Sequence, residues 1–285
     1  RKVFVFGQYQ SILDDLERLG FHEAGAAPTL FPCAYDWRVA IEQSTRTVAD
    51  VIDRAAGLHA DADITLIGHS QGGLMSRHYL ESGLFKTRPG FAAVKRFIAL
   101  AVPHLGGAKA LPVVMGLERE AFLAPDQVKV LANDPRYLSA YQLLPPEGEP
   151  FAWNADVNSR FAPLNVYDPS VAAKLELSAA SLAAAKAFHA TLDSAKAPVP
   201  YFCFVGTRQT TTALARLNLG ATKVVDRIVR DDRDDSGDGT VPIWSAGGLT
   251  RMQALTVGGE HGTIFKNGDL RRTMGTLLGK SGILA

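Results

Sequence analysis

Short apolar, β-branched runs alternate with helical periodicity through the first hundred residues. Residues 3–6 predict a strand. Ile12, Leu13, Leu16 and Leu19 share one helix face over residues 9–19, and Gly20 stands where a helix stop is expected. Residues 30–35 predict a strand in spite of Pro32, and Val48, Val51, Ile52 and Ala55 mark a second amphipathic helix. Residues 64–67 form a compact buried-strand signal, followed by Gly68 and a helix through Leu80; residues 94–101 supply the next strand. Strand and helix alternating at this rhythm predict an α/β fold, a mostly parallel sheet flanked by helices.

From residue 106 to residue 198 the strand rhythm stops. Prolines recur at 112, 125, 135, 145, 146, 150, 163 and 169, and an alanine-rich stretch over residues 170–194 follows. Leu175, Leu177, Leu182, Phe188 and Leu192 make that stretch a packed helix rather than a linker. Strand signals return at 201–205, 223–229 and 254–257, with a closing helix near 265–278. The expected organisation is a core in two parts, residues 1–105 and 199–285, around a helical cap inserted as residues 106–198. Both roots of the insert leave the same sheet edge, so residues 111–115, Leu143, Leu144 and the alanine-rich helix are expected to wall a pocket there.

Composition narrows the function. A chain of 285 residues with 47% hydrophobic and 21% charged positions suits a folded enzyme with one core and a cap. Thirty Lys+Arg against 29 Asp+Glu give a net charge of +1, which argues against a nucleic-acid partner. No apolar run approaches the ~20 residues of a transmembrane anchor. Cys33 and Cys203 exclude a disulfide scaffold and default to small buried hydrophobes. The compartment stays open between cytoplasm, the default, and secretion, because the chain opens on Arg1 without a signal-peptide core. Oligomeric state is not legible.

The chemistry centres on Gly68-His69-Ser70-Gln71-Gly72, a G-x-S-x-G run between a strand and a helix. In that setting the turn is sharp, the serine hydroxyl stands at the carboxyl edge of the sheet, and the next backbone N–H, that of Gln71, can face an oxyanion. A hydroxyl nucleophile needs a base, and the base needs an orienting carboxylate, in the chain order Ser, acid, His. His261, in Gly259-Glu260-His261-Gly262 after the 254–257 strand, has that order and position. His22 and His59 suit exposed sites, and His69 is read as packed. His78 and His189 lie on helices, while His104 at a strand end is a rival for proximity. Asp238, in Ser236-Gly237-Asp238-Gly239-Thr240-Val241-Pro242, is preferred as the acid over Asp231, Asp232, Asp234 and Asp235, read as a solvated acidic turn, and over Asp226. No Walker lysine follows Gly73 and no metal-ligand spacing is present, so neither a cofactor nor a metal is expected.

Several segments together resemble the lecithin:cholesterol acyltransferase-like family of α/β-hydrolases. They are Ala34-Tyr35-Asp36-Trp37-Arg38, the elbow through Leu74, Val102-Pro103-His104-Leu105-Gly106-Gly107, Tyr141-Gln142-Leu143-Leu144-Pro145, the Asp238 loop and Glu260-His261-Gly262. The resemblance runs over about residues 9–280, thinly in the insert, and the Tyr-Asp-Trp-Arg run with Gly-Asp-Gly-Thr-Val-Pro is its specific part. It implies an α/β-hydrolase fold, Ser70, Asp238 and His261 as catalytic triad, and an ester of a lipid or other large acyl compound as substrate, without cofactor or metal; a capped pocket also suits short acyl esters and bulky lactones. Hydrolysis is the primary reading; transfer to an alcohol acceptor, or a silent binding module on this fold, are the alternatives. The sequence departs from the family near its start, where a Pro-Gly or His-Gly loop usually supplies a second oxyanion donor. Either Gly7-Gln8 is a reduced loop, or the loop lies upstream of Arg1, the preferred reading. Asp36 and Arg38 are expected to pair, Trp37 to pack between cap and core, and His104, Leu105, Leu143 and Leu144 are pocket candidates.

Overall fold

The computed structural model describes residues 8–61, 63–119, 123–155, 162–193 and 198–284. The strand expected at residues 3–6, Gly7, and Ser194 at the end of the alanine-rich stretch lie outside them. In chain order the helices are α1 (Gln10–Arg18), α2 (Ile41–Leu58), α3 (Gln71–Glu81), α4 (Ala110–Val114), α5 (Pro125–Ala132), α6 (Ser139–Gln142), α7 (Pro169–Lys174), α8 (Ala179–Ala190), α9 (Ile243–Ala246) and α10 (Gly268–Leu277). The strands are β1 (Ile64–His69), β2 (Val94–Leu100), β3 (Ala152–Asn154), β4 (Tyr201–Thr207), β5 (Gln209–Leu217), β6 (Ile228–Gly237) and β7 (Gln253–Gly258).

Among the described residues, four strands build the central sheet in the order β1-β2-β4-β7, every pair parallel. Alternation along β2 shows why both faces are covered. Phe97 and Ala99 pack with Ile52 of α2 and Leu74 and Tyr79 of α3. Ile98 and Leu100 point the other way, onto Leu16 of α1 and Leu270 and Met274 of α10. A strand buried on both sides reads as a near-continuous apolar run, which is how β2 appears in the sequence. The expected α/β class is the class observed.

Three elements depart from expectation. Residues 30–35 form no strand, and Pro32 within them lacks a backbone donor. Residues 223–229 do not return to the central sheet. Val224–Arg227 is a 3-10 turn, and β6 beyond it pairs antiparallel with β5 in a second, three-stranded sheet ordered β3-β5-β6. The acidic run is therefore strand rather than turn, with Thr212 Oγ1 donating to Asp232 at 2.6 Å and Thr210 Oγ1 to Asp234 at 2.7 Å across the hairpin. The alanine-rich stretch is two helices. Glu176 at φ 56° breaks it, and the Ser178 side chain caps α8 through the Ser181 N–H.

The second sheet and α4–α8 share a core of their own, in which Leu111, Tyr141, Leu144, Val166, Leu175 and Leu217 are fully buried. Gln142 of α6 ties this layer to α2 beside the central sheet. The Gln142 side-chain carbonyl accepts from the Ile41 N–H at 2.7 Å, at the start of α2 where no intrahelical acceptor exists, and its amide donates to Glu42. Beneath α3, buried Arg77 and Glu81 pair at 2.8 Å, and Arg77 also donates to the His104 carbonyl. Glu81 takes further hydrogen bonds from the Tyr201 hydroxyl and the Asp193 N–H, so its charge is not left unpaired.

Buried imidazoles make stability depend on pH. Burial lowers the pKa of His78 and of His189 to about 4, and takes His104 well below its ordinary value. The unfolded chain binds protons near pH 6.5 whereas the folded chain resists them to about pH 4, so stability present at neutral pH is lost as pH falls through that window. One such histidine is worth up to about 3 kcal/mol. Melting temperature should hold steady above pH 7 and fall between pH 6.5 and 4, and His78→Leu should flatten the fall. A flat profile between pH 7 and 5 would contradict this.

Candidate active site

β1 ends at His69 and α3 begins at Gln71, so the whole reversal of the chain falls on Ser70. Its backbone sits at φ 52°, ψ −130°, a region that costs an L-residue energy and persists only where surroundings enforce it. Those surroundings are close. A Cβ on Gly68 would lie 2.7 Å from Gly73 Cα, and one on Gly73 would overlap the Val102 side chain. The Ser70 N–H donates to the Leu100 carbonyl at 3.0 Å, pinning the turn to β2. The hydroxyl is thereby held at the carboxyl edge of the sheet, beside the N-terminus of α3.

His261 Nε2 lies 2.9 Å from Ser70 Oγ, and its Nδ1 lies 2.8 Å from Asp238 Oδ2. Asp238 is 1% exposed, yet its carboxyl group is fully occupied. Oδ1 accepts from the Thr240 and Val241 N–H groups at 3.0 and 2.7 Å, and Oδ2 faces His261. The Asp238 carbonyl also accepts the His261 N–H at 2.8 Å, so acid and base are joined through backbone and side chain. Gly206 on β4 permits this approach, since a Cβ there would fall 2.5 Å from Asp238 Cβ.

Gln71 turns its side chain away from Ser70 toward Trp37. Its side-chain amide donates to the Trp37 carbonyl at 3.0 Å, while its N–H opens α3 and has no acceptor within the helix. Asp231 is held by Arg233, and Asp232 and Asp234 by threonines of β5, so Asp238 alone of the acidic candidates meets His261. Asp226 sits on an exposed turn.

The pocket candidates are dispersed. His104 is buried, its Nε2 3.5 Å from Cys203 Sγ, and Leu144 lies inside the second core with Leu111 and Met115. Leu105 and Leu143 are half-buried, the Leu105 N–H donating to Ser245 Oγ. Cys33 and Cys203 are both free thiols; Cys203 is buried, and burial pushes its thiol up to about 12. Asp36 and Arg38 do pair, bidentate at 2.8 and 2.7 Å, with the guanidinium over the Tyr137 ring. Trp37, 42% exposed, helps to line an open groove of about 770 Å³ with Tyr35, Arg38, Val130, Leu131 and Tyr137. Neither Ser70 nor His261 lines that groove.

Sequence reasoning missed two features. One is Gly206, whose signal, a glycine ending a strand, is too common to single out. The other is the set of contacts around His69. Its Nδ1 lies 3.0 Å from the Tyr9 hydroxyl and its Nε2 3.0 Å from the His261 carbonyl.

A family model described as lecithin:cholesterol acyltransferase matches residues 5–172, more than half of the chain. The chain belongs to this family. Among solved structures, the Tle4–Tli4 complex aligns with a TM-score of 0.59 at 14% identity, over 82% of this chain. This chain covers 65% of the length of that protein. A lin2722 gene product from Listeria innocua aligns at a TM-score of 0.39 and 10% identity, over 85% of this chain and 68% of that one. Among curated proteins none matches. The shared fold is that of the α/β-hydrolases.

The elbow's packing yields a direct expectation. Gly73→Ala should destabilise the protein by about 2–3 kcal/mol through overpacking against Val102. Val102→Ala in the same chain should recover part of that loss, read from urea midpoints. Additive losses in the double variant would show that the two sites do not clash.

Proposed function

We propose that the protein is a carboxylic ester hydrolase in which Ser70 is the nucleophile, His261 the general base and Asp238 its orienting acid. The reading rests on one observation: an unbroken hydrogen-bonded line from Asp238 Oδ2 through both ring nitrogens of His261 to Ser70 Oγ. As Oγ attacks the ester carbonyl, its proton passes to His261 Nε2, and the buried Asp238 carboxylate stabilises the imidazolium through Nδ1–H. The Gln71 N–H, at the positive end of α3, holds the developing oxyanion together with a second donor. His261 then protonates the leaving alcohol. Water, deprotonated by the same ring, attacks the acyl-enzyme, releasing the acid and restoring the Ser70 hydroxyl.

Family membership favours one further fate for the acyl-enzyme. An alcohol in place of water converts hydrolysis into acyl transfer by the same residues. The segment over residues 106–198 is proposed to act as a cap deciding which of the two enters. An ester panel graded by acyl length and ring size, run with and without a long-chain alcohol, separates the outcomes: free acid for hydrolysis, new ester for transfer.

Ser70→Ala should abolish fluorophosphonate labelling and lower kcat by about 10³-fold or more, with the melting temperature little changed. Asp238→Asn should lower kcat by about 10⁴-fold, because His261 then loses the group that fixes its tautomer. Asp234→Asn, on the exposed hairpin, should change little. Wild-type turnover in Ser70→Ala, or a larger loss at Asp234 than at Asp238, would overturn the assignment.

A further inference from the structure

His69 precedes the proposed nucleophile in the chain, yet its ring lies against the proposed base. Its centroid is 4.6 Å from that of His261, and Phe265 closes the other side with its ring edge-on at 5.7 Å. Both ring nitrogens are committed. Nε2 faces the His261 carbonyl, an oxygen that can only accept, so Nε2 carries a proton. Nδ1 faces the Tyr9 hydroxyl, and in a neutral ring already protonated at Nε2 it must accept from it. Tyr9 is held in turn against His69 and Phe265, each at a centroid distance of 5.6 Å.

His261 is thereby clamped at both ends of its own peptide unit. Its N–H goes to the Asp238 carbonyl at 2.8 Å, and its carbonyl receives the His69 Nε2–H at 3.0 Å. The first clamp ties the base to its acid; the second ties it to the residue bonded to its nucleophile. We infer that His69, in the Nε2–H tautomer that the His261 carbonyl selects and the Tyr9 hydroxyl complements at Nδ1, is a positioning residue that holds the His261 loop at hydrogen-bonding distance from Ser70.

A neutral ring suits that place. Burial first, and then the neighbouring His261, bring the pKa of His69 down to about 4, so no second positive charge competes with the imidazolium that forms on His261 during turnover. The groups facing His69 are the Tyr9 hydroxyl, the His261 ring and carbonyl, Phe265 and, through His261, Asp238.

The inference rests on the hydrolase reading for its kinetic consequence, but its structural half is testable without turnover. In protein labelled with [15N]histidine, long-range proton–nitrogen correlation should show His69 protonated at Nε2 and neutral at pH 6. Tyr9→Phe should leave the proton on Nε2, because the His261 carbonyl still requires a donor there. In ester hydrolysis His69→Leu should lower kcat about 10- to 100-fold with KM nearly unchanged, as expected when a reacting group is misplaced without loss of binding. His69→Gln, whose amide N–H can reach the His261 carbonyl, should recover most of that loss. An Nδ1–H ring in the wild-type protein, or folded Leu and Gln variants with equal kcat, would overturn the inference. A wild-type protein that turns over no ester while showing the Nε2–H tautomer would instead refute the hydrolase reading and leave the clamp standing.

Discussion

Backbone meets backbone where Gly68 crosses Gly73, with the Val102 side chain filling the space that a Cβ on Gly73 would need. Because those surfaces touch, β1 runs directly into α3, and a single residue absorbs the entire change of direction. The strain at Ser70 is the result, sustained by the helix on one side and the Leu100 carbonyl on the other. The hydroxyl is then held out at the sheet's edge, and the first N–H of α3 is left without an intrahelical acceptor. Nothing else at the site would have a fixed point to refer to if this crossing were looser.

The other two residues arrive from different layers. His261 comes from the loop after β7, on the central sheet, whereas Asp238 ends β6, which belongs to the second sheet. Their double hydrogen bond therefore joins the two sheets as well as two side chains, with Gly206 of β4 making room. Gln142 ties the second layer to α2 elsewhere, and Glu81 of α3 accepts the Asp193 N–H beyond α8.

The legibility of the sequence follows from this division. Ser70 and His261 follow strands of the central sheet, whose apolar runs are readable because both faces are buried. Asp238 is singled out in the sequence by its flanking glycines, although the strand before it is not the one the sequence predicts. β6 exposes most of its side chains, so its acidic residues carry no strand pattern, and its pairing with β5 is set by hairpin hydrogen bonds that leave no period in the sequence. The break at Glu176 was hidden because an alanine-rich helix continues as easily as it stops until Ser178 caps the next one. His69 was correctly placed among packed side chains, but its partners come from positions 60 and 192 residues away, a proximity that no local pattern encodes.

Trapping the acyl-enzyme tests the central claim most directly. The wild-type protein, mixed with an activated ester and quenched in acid within the first turnover, is digested and its peptides are weighed by mass spectrometry. The account predicts one acyl group, located by fragmentation on Ser70. Ester turnover accompanied by an adduct on another residue, or by no covalent adduct at all, would contradict it.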